Sequence, residues 1–199
     1  SYTGKDCALE YRYTPTDGTL GDITVRYKGK TIRPCAGGGM QLAGPQGVIP
    51  PGDASIQRTF KEMKLSGGVL RVVWHLESGD IATDVEYRLR IRQKSLIVEM
   101  EASKPVVSHV TLGRAEPINK GKLFWIPYLT YGGNDPRALY GEGLFFFTQF
   151  DWYVSDASEL YGGATLGPDW AVFNGGAQYI PKTDGARNRV RERLFINVS

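Results

Sequence analysis

Aromatic rings, carboxylates and glycine turns are concentrated in one part of the sequence, between Leu123 and Pro181. A pyranose presents an apolar C–H face that can stack on an aromatic ring, and hydroxyl groups that need polar partners. An aromatic residue beside a turn suits such contact, because the backbone there leaves its ring exposed. The sequence therefore predicts five residues nearest to a carbohydrate ligand: Tyr131, Asp151, Trp152, Trp170 and Lys182.

A purely structural interpretation competes with this one. Aromatic residues also fill cores, as the pattern of Leu144–Phe150 suggests. The polar loop that contains Lys182 also fits a solvated hairpin tip built on Asp184 and Gly185. The sequence leaves both interpretations of this loop open.

No complete catalytic site is predicted within the chain. Glycoside hydrolysis needs two carboxylates at a fixed separation. No spacing fixes such a pair among the candidates in the aromatic segment, which are Asp135, Glu142, Asp151, Asp156, Glu159 and Asp169. His75 and His109 are each predicted on the solvent side of a strand, so a serine–histidine–aspartate arrangement is not expected.

Size and charge are those of an ordinary globular domain of 199 residues with a net charge of +3. This charge is no nucleic-acid signature, and the arginine rows at 88–92 and 187–193 are interspersed or flanked with acidic residues. Such rows favour a solvated sheet face or a contact between domains. No apolar run approaches the roughly 20 residues that span a bilayer, so no membrane partner is predicted.

Metal binding is not diagnosed by the sequence. Cys7 and Cys35 have no further cysteine or histidine nearby that would complete a metal site. They could form one disulfide or remain free thiols, and free thiols are favoured. Ca²⁺ near the Asp-rich turns is left open, because oxygen ligands alone are too common to identify a site. No other cofactor is predicted.

Strand periodicity dominates the chain. The clearest case is Ile81 to Arg92, where apolar and charged residues alternate, as in a half-buried antiparallel strand. Two exceptions are predicted: a long irregular loop over the Gly- and Pro-rich stretch Pro34 to Asp53, and short helical turns at Ile56–Met63 and Ser155–Leu160. About a dozen short strands separated by turns predict an all-β fold, an antiparallel two-sheet sandwich with long loops and little helix. The whole chain, residues 1–199, is predicted to be a single domain.

Four later stretches resemble a known architecture: DVEYRLRIRQKSLIVEMEA, FWIPYLTYGG, TQFDWYVSDASELYGG and NGGAQYIPKTDGARNRVRERLFINVS. Together they look like the N-terminal β-sandwich of large bacterial carbohydrate-active proteins. That sandwich is similar to the galactose-mutarotase-like supersandwich that precedes a catalytic (β/α)₈ barrel in several glycoside hydrolase families. The resemblance covers roughly Ile81 to Ser199.

The resemblance implies a non-catalytic domain whose partners are a carbohydrate and a C-terminal catalytic domain of the same parent chain. The catalytic carboxylates would lie on that barrel, beyond Ser199. The sequence ends in a strand pattern, Arg193 to Ser199, which is expected of a piece of a longer protein. A secreted or periplasmic location is favoured. The alternatives are a free-standing carbohydrate-binding module, a mutarotase-like sugar enzyme, and a structural or assembly protein that uses its aromatic face as an interface.

Overall fold

The fold was determined as a computed structural model, which describes residues 1–5, 7–126, 137–173 and 175–199. Apart from one 3₁₀ turn, Leu20–Asp22, the regular structure of these residues is β. The twenty strands are, in chain order, β1 Tyr2–Thr3, β2 Ala8–Tyr13, β3 Ile23–Tyr27, β4 Lys30–Ala36, β5 Gly39–Gly44, β6 Gly47–Ile49, β7 Gln57–Ser66, β8 Val69–Ser78, β9 Ile81–Arg92, β10 Ser95–Ala102, β11 Val107–Thr111, β12 Arg114–Glu116, β13 Lys122–Trp125, β14 Arg137–Gly141, β15 Leu144–Phe150, β16 Glu159–Tyr161, β17 Thr165–Leu166, β18 Ala171–Val172, β19 Gly176–Gln178 and β20 Arg191–Val198.

The strands form three antiparallel sheets. The largest has eight strands in the order β13-β14-β15-β20-β10-β9-β8-β7. The second has seven, β1-β2-β3-β4-β12-β18-β17, and the third has five, β16-β19-β11-β5-β6. The predicted all-β, sandwich-like fold with little helix is confirmed, and its strands are divided among three sheets instead of two. No helix in the described ranges is long and apolar enough to cross a membrane.

The eight-stranded sheet has one apolar face and one charged face. In β9 the buried side chains Thr83, Val85, Tyr87 and Leu89 alternate with outward-facing polar ones. Its neighbours match this register, since Val85 lies opposite Trp74 of β8 and Leu89 lies opposite Val98 of β10. The alternation predicted from Ile81 to Arg92 is therefore confirmed.

The apolar face packs on the other sheets to form one continuous core. Two polar contacts fix this packing on the side of the seven-stranded sheet. The indole N–H of Trp74 donates to the Tyr13 hydroxyl at 2.9 Å, and the Tyr87 hydroxyl donates to the carbonyl of Gly18 at 2.9 Å. Both polar groups of these aromatic residues are thus satisfied inside the sandwich.

The prediction of an irregular loop from Pro34 to Asp53 is wrong over most of its length, because β4 extends to Ala36 and β5 and β6 follow. Pro34 is tolerated within β4 because the pairing of β4 with β12 shifts there: Arg33 lies opposite Glu116 but Ala36 lies opposite Arg114. Such a bulge leaves the proline without a ladder hydrogen bond to lose. Cys35 beside it is buried, which raises the pKa of its thiol to about 12, and it forms no disulfide with Cys7.

Neither predicted helical turn exists. Ile56–Met63 lies mostly in β7, where a bulge at Lys61 places both Phe60 and Met63 on one face. The bulge turns a strand spacing of two into a spacing of three, which imitates helical periodicity. At Ser155 the hydroxyl accepts the Ala157 N–H at 3.1 Å, so it caps a local turn instead of a helix.

Candidate functional site

A groove of about 440 Å³ opens on the charged face of the eight-stranded sheet. The groove forms at Ala102, where β10 ends between β9 and the chain that leads into β20. At this end of β10 the Ala102 N–H donates a hydrogen bond to the Val190 carbonyl at 3.2 Å. Its polar lining comes from β8, β9, β10, the loop after β15 and the start of β20: Arg71, Asp84, Glu86, Glu101, Ser103, Asp156, Arg189 and Arg191.

Ion pairs hold most of these charges in place. Arg71 contacts Glu86 at 2.7 Å and also Glu62. Asp156 contacts Arg191 at 3.1 Å. These side chains remain partly exposed, so they are oriented by their partners and still accessible from the groove. An isolated exposed pair adds little stability, and the value of this network lies in fixing the direction of its donors and acceptors.

Asp84 is held by two cationic or polar side chains through one of its oxygens. Its Oδ1 lies 2.8 Å from Lys61 Nζ and 2.6 Å from His75 Nδ1. The hydrogen bonds from Lys61 and His75 lower the pKa of Asp84. Asp84 is therefore an ionised hydrogen-bond acceptor at neutral pH and not a proton donor.

Asp151 and Trp152 lie in a tight turn after β15. The Asp151 carbonyl accepts the Val154 N–H at 3.2 Å, and its carboxylate accepts the Tyr153 N–H at 3.1 Å. The other carboxylate oxygen lies 3.2 Å from Arg193. This turn leaves Trp152 69% exposed and Tyr153 98% exposed. Asp151 thus positions the turn, while the two rings beside it are free to meet a ligand.

Lys182 lies on a second loop, which contacts the first. Its N–H donates to the Ala186 carbonyl at 2.7 Å, so the loop is a closed hairpin tip. The two loops are joined where the Asn188 amide donates to the Asp156 carbonyl at 2.9 Å. Asp156 and Arg189 line the groove, so these loops form its rim. Asp151 and Trp152 lie on the first of these loops and Lys182 on the second, but none of the three is among the residues that line the groove.

Trp170 lies elsewhere in the molecule. It is half-buried in the turn between β17 and β18, where its carbonyl accepts the Gly167 N–H at 2.9 Å and its ring covers Gly167. These strands belong to the seven-stranded sheet, so Trp170 is not placed with the rim loops. Tyr131 falls outside the described residues.

Of the groove residues, the sequence singles out Asp156 as a candidate carboxylate. The alternation along Ile81 to Arg92 indicates only a solvated face for Glu86, and no sequence motif points to Arg71 or Glu101. The sequence pattern that could indicate the groove lining is the alternation of charged and apolar residues in β9, which continues on both neighbouring strands. The opposite charges that meet across strands, such as Arg71 and Glu86, are visible only once the register is known.

The two histidines lie in different surroundings. His75 is on the charged face beside Asp84, as described above. His109 is half-buried on β11, and its pKa is lowered by burial and by the nearby charge of Arg187. Among the described residues no group of three or more His, Cys, Asp or Glu side chains could hold a metal ion. Ca²⁺ near the Asp-rich turns, which the sequence leaves open, is not tested by this observation.

A buried carboxylate lies behind the rim. Glu192 of β20 is 2% exposed and accepts hydrogen bonds from the hydroxyls of Tyr179 and, at 2.8 Å, Ser155. Its second oxygen has no partner in the described part of the chain. Burial raises the pKa of Glu192. The protonated form is therefore favoured by folding, and the ionised form costs stability.

We expect Glu192→Gln to stabilise the protein at neutral and higher pH. A raised folded pKa means that the penalty is absent below the unfolded pKa of about 4.3 and develops as the pH rises toward the folded pKa. Urea unfolding at several pH values should show a stability gain of the variant that is absent below the unfolded pKa of about 4.3 and grows as the pH rises above it.

Glu142→Gln is the matched control of opposite sign. Its carboxylate accepts a hydrogen bond from Lys30 at 2.5 Å, and this bond, together with the Asn119 N–H, lowers its pKa. That contribution is present above the unfolded pKa and lost as the pH falls, so this variant should lose stability at neutral pH and not in acid. If both variants changed in the same direction with pH, burial of Glu192 would not be the cause.

No protein-family model matches the chain, and no curated protein matches its sequence. The resemblance to the galactose-mutarotase-like supersandwich therefore stays a prediction. What the chain is shown to be is an all-β, sandwich-like protein built from three antiparallel sheets.

Proposed function

We propose that this chain is a non-catalytic β-sandwich domain of a carbohydrate-active enzyme, and that it binds part of a glycan in the groove. The observation that carries the proposal is the groove itself, where oriented guanidinium and carboxylate groups line a cavity of about 440 Å³. The exposed rings of Trp152 and Tyr153 lie on the loop that contributes Asp156 to its lining. Small-molecule sites have volumes of roughly 300–1,000 Å³, so a sugar residue fits.

The chemistry of the lining suits neighbouring hydroxyl groups. A carboxylate such as Glu101 accepts two hydroxyl hydrogen bonds, and a guanidinium such as Arg71 donates two in a fixed fork. Because each already has a protein partner, little side-chain freedom is lost when a sugar binds. Trp152 and Tyr153 supply rings at the rim for the apolar sugar face.

An aromatic patch on β13, β14 and β15 supports the partner domain in this proposal. Phe124, Tyr140 and Phe145 are each more than a third exposed. Their rings contact one another, with centroids 5.9 Å apart for Phe124 and Phe145 and 5.0 Å apart for Tyr140 and Phe145. A clustered exposed aromatic surface is typical of an interface, and here it would receive the catalytic domain of the parent chain.

The test is calorimetric titration of the 199-residue chain with a panel of neutral and acidic oligosaccharides. We expect weak binding of one class and no hydrolysis of any. Trp152→Ala and Glu101→Gln should each weaken that binding by about tenfold, since a stacked ring or a charged hydrogen bond contributes roughly 1–2 kcal/mol.

Trp125→Ala is the matched control for Trp152→Ala. Trp125 is similarly exposed, at 56%, but lies on β13 at the opposite edge of the sheet from β8. Its removal should leave the affinity unchanged. Absence of binding across the panel, or equal losses in both tryptophan variants, would contradict the proposed groove.

A second candidate, a mutarotase-like sugar enzyme, is favoured by the pairing of His75 with Asp84 at the edge of the groove. A histidine oriented by a carboxylate is a common general acid–base arrangement. The titrated sugars distinguish the candidates, because only an enzyme accelerates the interconversion of their anomers, and it would lose this activity in His75→Ala.

A further inference from the structure

Strand β7 is the terminal strand of the eight-stranded sheet. It is ten residues long and pairs on one side with β8, and within the described ranges no strand pairs with its other side. A strand of this length at a sheet edge presents a row of unpaired backbone N–H and carbonyl groups. It is therefore ready to accept a further strand.

The two faces of β7 differ in chemistry. Phe60, Met63 and Leu65 lie opposite Trp74, Val72 and Leu70 of β8, so they continue the apolar face of the sheet. The second layer of the sandwich does not cover them, and they are 42%, 46% and 71% exposed. Glu62 and Lys64 lie on the other, charged face. The edge thus combines open backbone, exposed apolar side chains and two opposite charges two residues apart.

We propose that β7 pairs antiparallel with β7 of a second copy of this chain, in the register centred on Met63. From Glu62 to Lys64, which follow the bulge at Lys61, directly opposite residues share a face, and Met63 meets Met63 of the second copy on the apolar side. On the charged side, Glu62 of each copy lies opposite Lys64 of the other, so the two-fold symmetry gives two ion pairs.

Charge selects this register over its neighbours. In a two-fold symmetric strand pair, one residue lies opposite the same residue of the second copy, and this residue is the centre of the register. The apolar faces of both copies stay on the same side only if the centre is a residue and not a point between two residues. Centring on Lys64 places the two Lys64 side chains opposite each other, and centring on Glu62 does the same with two carboxylates. Like charges directly opposite destabilise a strand pair. A lysine on an edge strand also disfavours pairing with strands that offer it no negative charge. A second copy of β7 offers Glu62 opposite Lys64, so β7 is suited to pairing with its own copy.

The experiment is sedimentation analysis of the 199-residue chain over a concentration series. The wild type should approach twice the monomer mass. Glu62→Lys and Lys64→Glu each turn two attractive pairs into two repulsive ones, and each should weaken dimer formation by about 30-fold or more. Lys64→Glu leaves the ion pair between Glu62 and Arg71 within the monomer intact.

A mixture of the two single variants provides the decisive control. In the mixed dimer Lys at 62 of one chain meets Glu at 64 of the other, and Lys64 meets Glu62, so both attractive pairs return. We expect the mixture to dimerise although neither variant does so alone. A wild type that stays monomeric at every concentration overturns the proposal, and so does a mixture that stays monomeric.

Discussion

Replacing Asp22 by alanine is expected to destabilise the fold by about 3–5 kcal/mol, because several donors inside the protein lose their acceptor and each unpaired donor costs about 1–3 kcal/mol. Asp22 is 4% exposed and accepts four hydrogen bonds. Three come from the backbone N–H groups of Thr16, Asp17 and Gly18 at 3.0–3.1 Å. The fourth comes from the Tyr13 hydroxyl at 3.0 Å, which in turn accepts the Trp74 indole N–H.

This carboxylate ties the turn between β2 and β3 to the eight-stranded sheet. Without it, three buried or half-buried N–H groups and one hydroxyl lose their acceptor at once. Burial raises the pKa of Asp22, although these donors oppose that effect. Each of the two carboxylate oxygens of Asp22 accepts two of these hydrogen bonds, so the site requires a hydrogen-bond acceptor at both positions.

Asp22→Asn tests this geometry at nearly constant volume. An amide keeps one accepting oxygen but directs an NH₂ group at donors, so this variant should also be destabilised, by about 2 kcal/mol or more. Asp80→Asn in the exposed turn before β9 is the control, and surface changes of that kind usually stay within about 0.5 kcal/mol. Denaturant unfolding measures all three. A loss of under about 1 kcal/mol in Asp22→Ala would contradict the assigned role.

The sequence allowed the strands with strict alternation to be predicted, because their pattern is local. β9 was predicted from Ile81 to Arg92, the bounds it has, with both faces correct. The helical turn at Ile56–Met63 failed because one extra residue at Lys61 changed the spacing of the apolar positions. A bulge is set by the partner strand, and the partner is not visible in a local window.

The candidate site could be predicted only in part for the same reason. The exposure of Trp152 follows from its neighbours in a turn, and the structure has it exposed. The assignment of Trp170 to the same region depended on which sheet each strand joins. Trp170 lies between β17 and β18, which belong to the seven-stranded sheet. The groove lining unites residues from 71 to 191, whose proximity is a property of sheet order.

Gly113→Ala is expected to be the second most damaging substitution, with a loss of about 3 kcal/mol or more from strain and overlap together. Its φ is +72°, and a Cβ there would lie 2.4 Å from the backbone N of Gly38 and 2.5 Å from the carbonyl oxygen of Ala36. Both contacts are with backbone, so neither can yield by a side-chain rotation. The connection from β11 to β12 crosses the connection from β4 to β5 at this point, and the backbones touch.

Gly37→Ala separates the two causes. Gly37 has almost the same φ, +69°, but its Cβ would meet nothing within 4 Å. The free energy of unfolding lost in Gly37→Ala should therefore come only from the left-handed backbone conformation, and amount to about 1–2 kcal/mol. The difference between the variants, measured by denaturant unfolding, reports the overlap alone. Equal losses would mean that the two connections can separate without cost. A larger loss at Gly113 would mean that this crossing is a fixed point between the seven-stranded and five-stranded sheets, because β4 and β12 belong to one and β5 and β11 to the other.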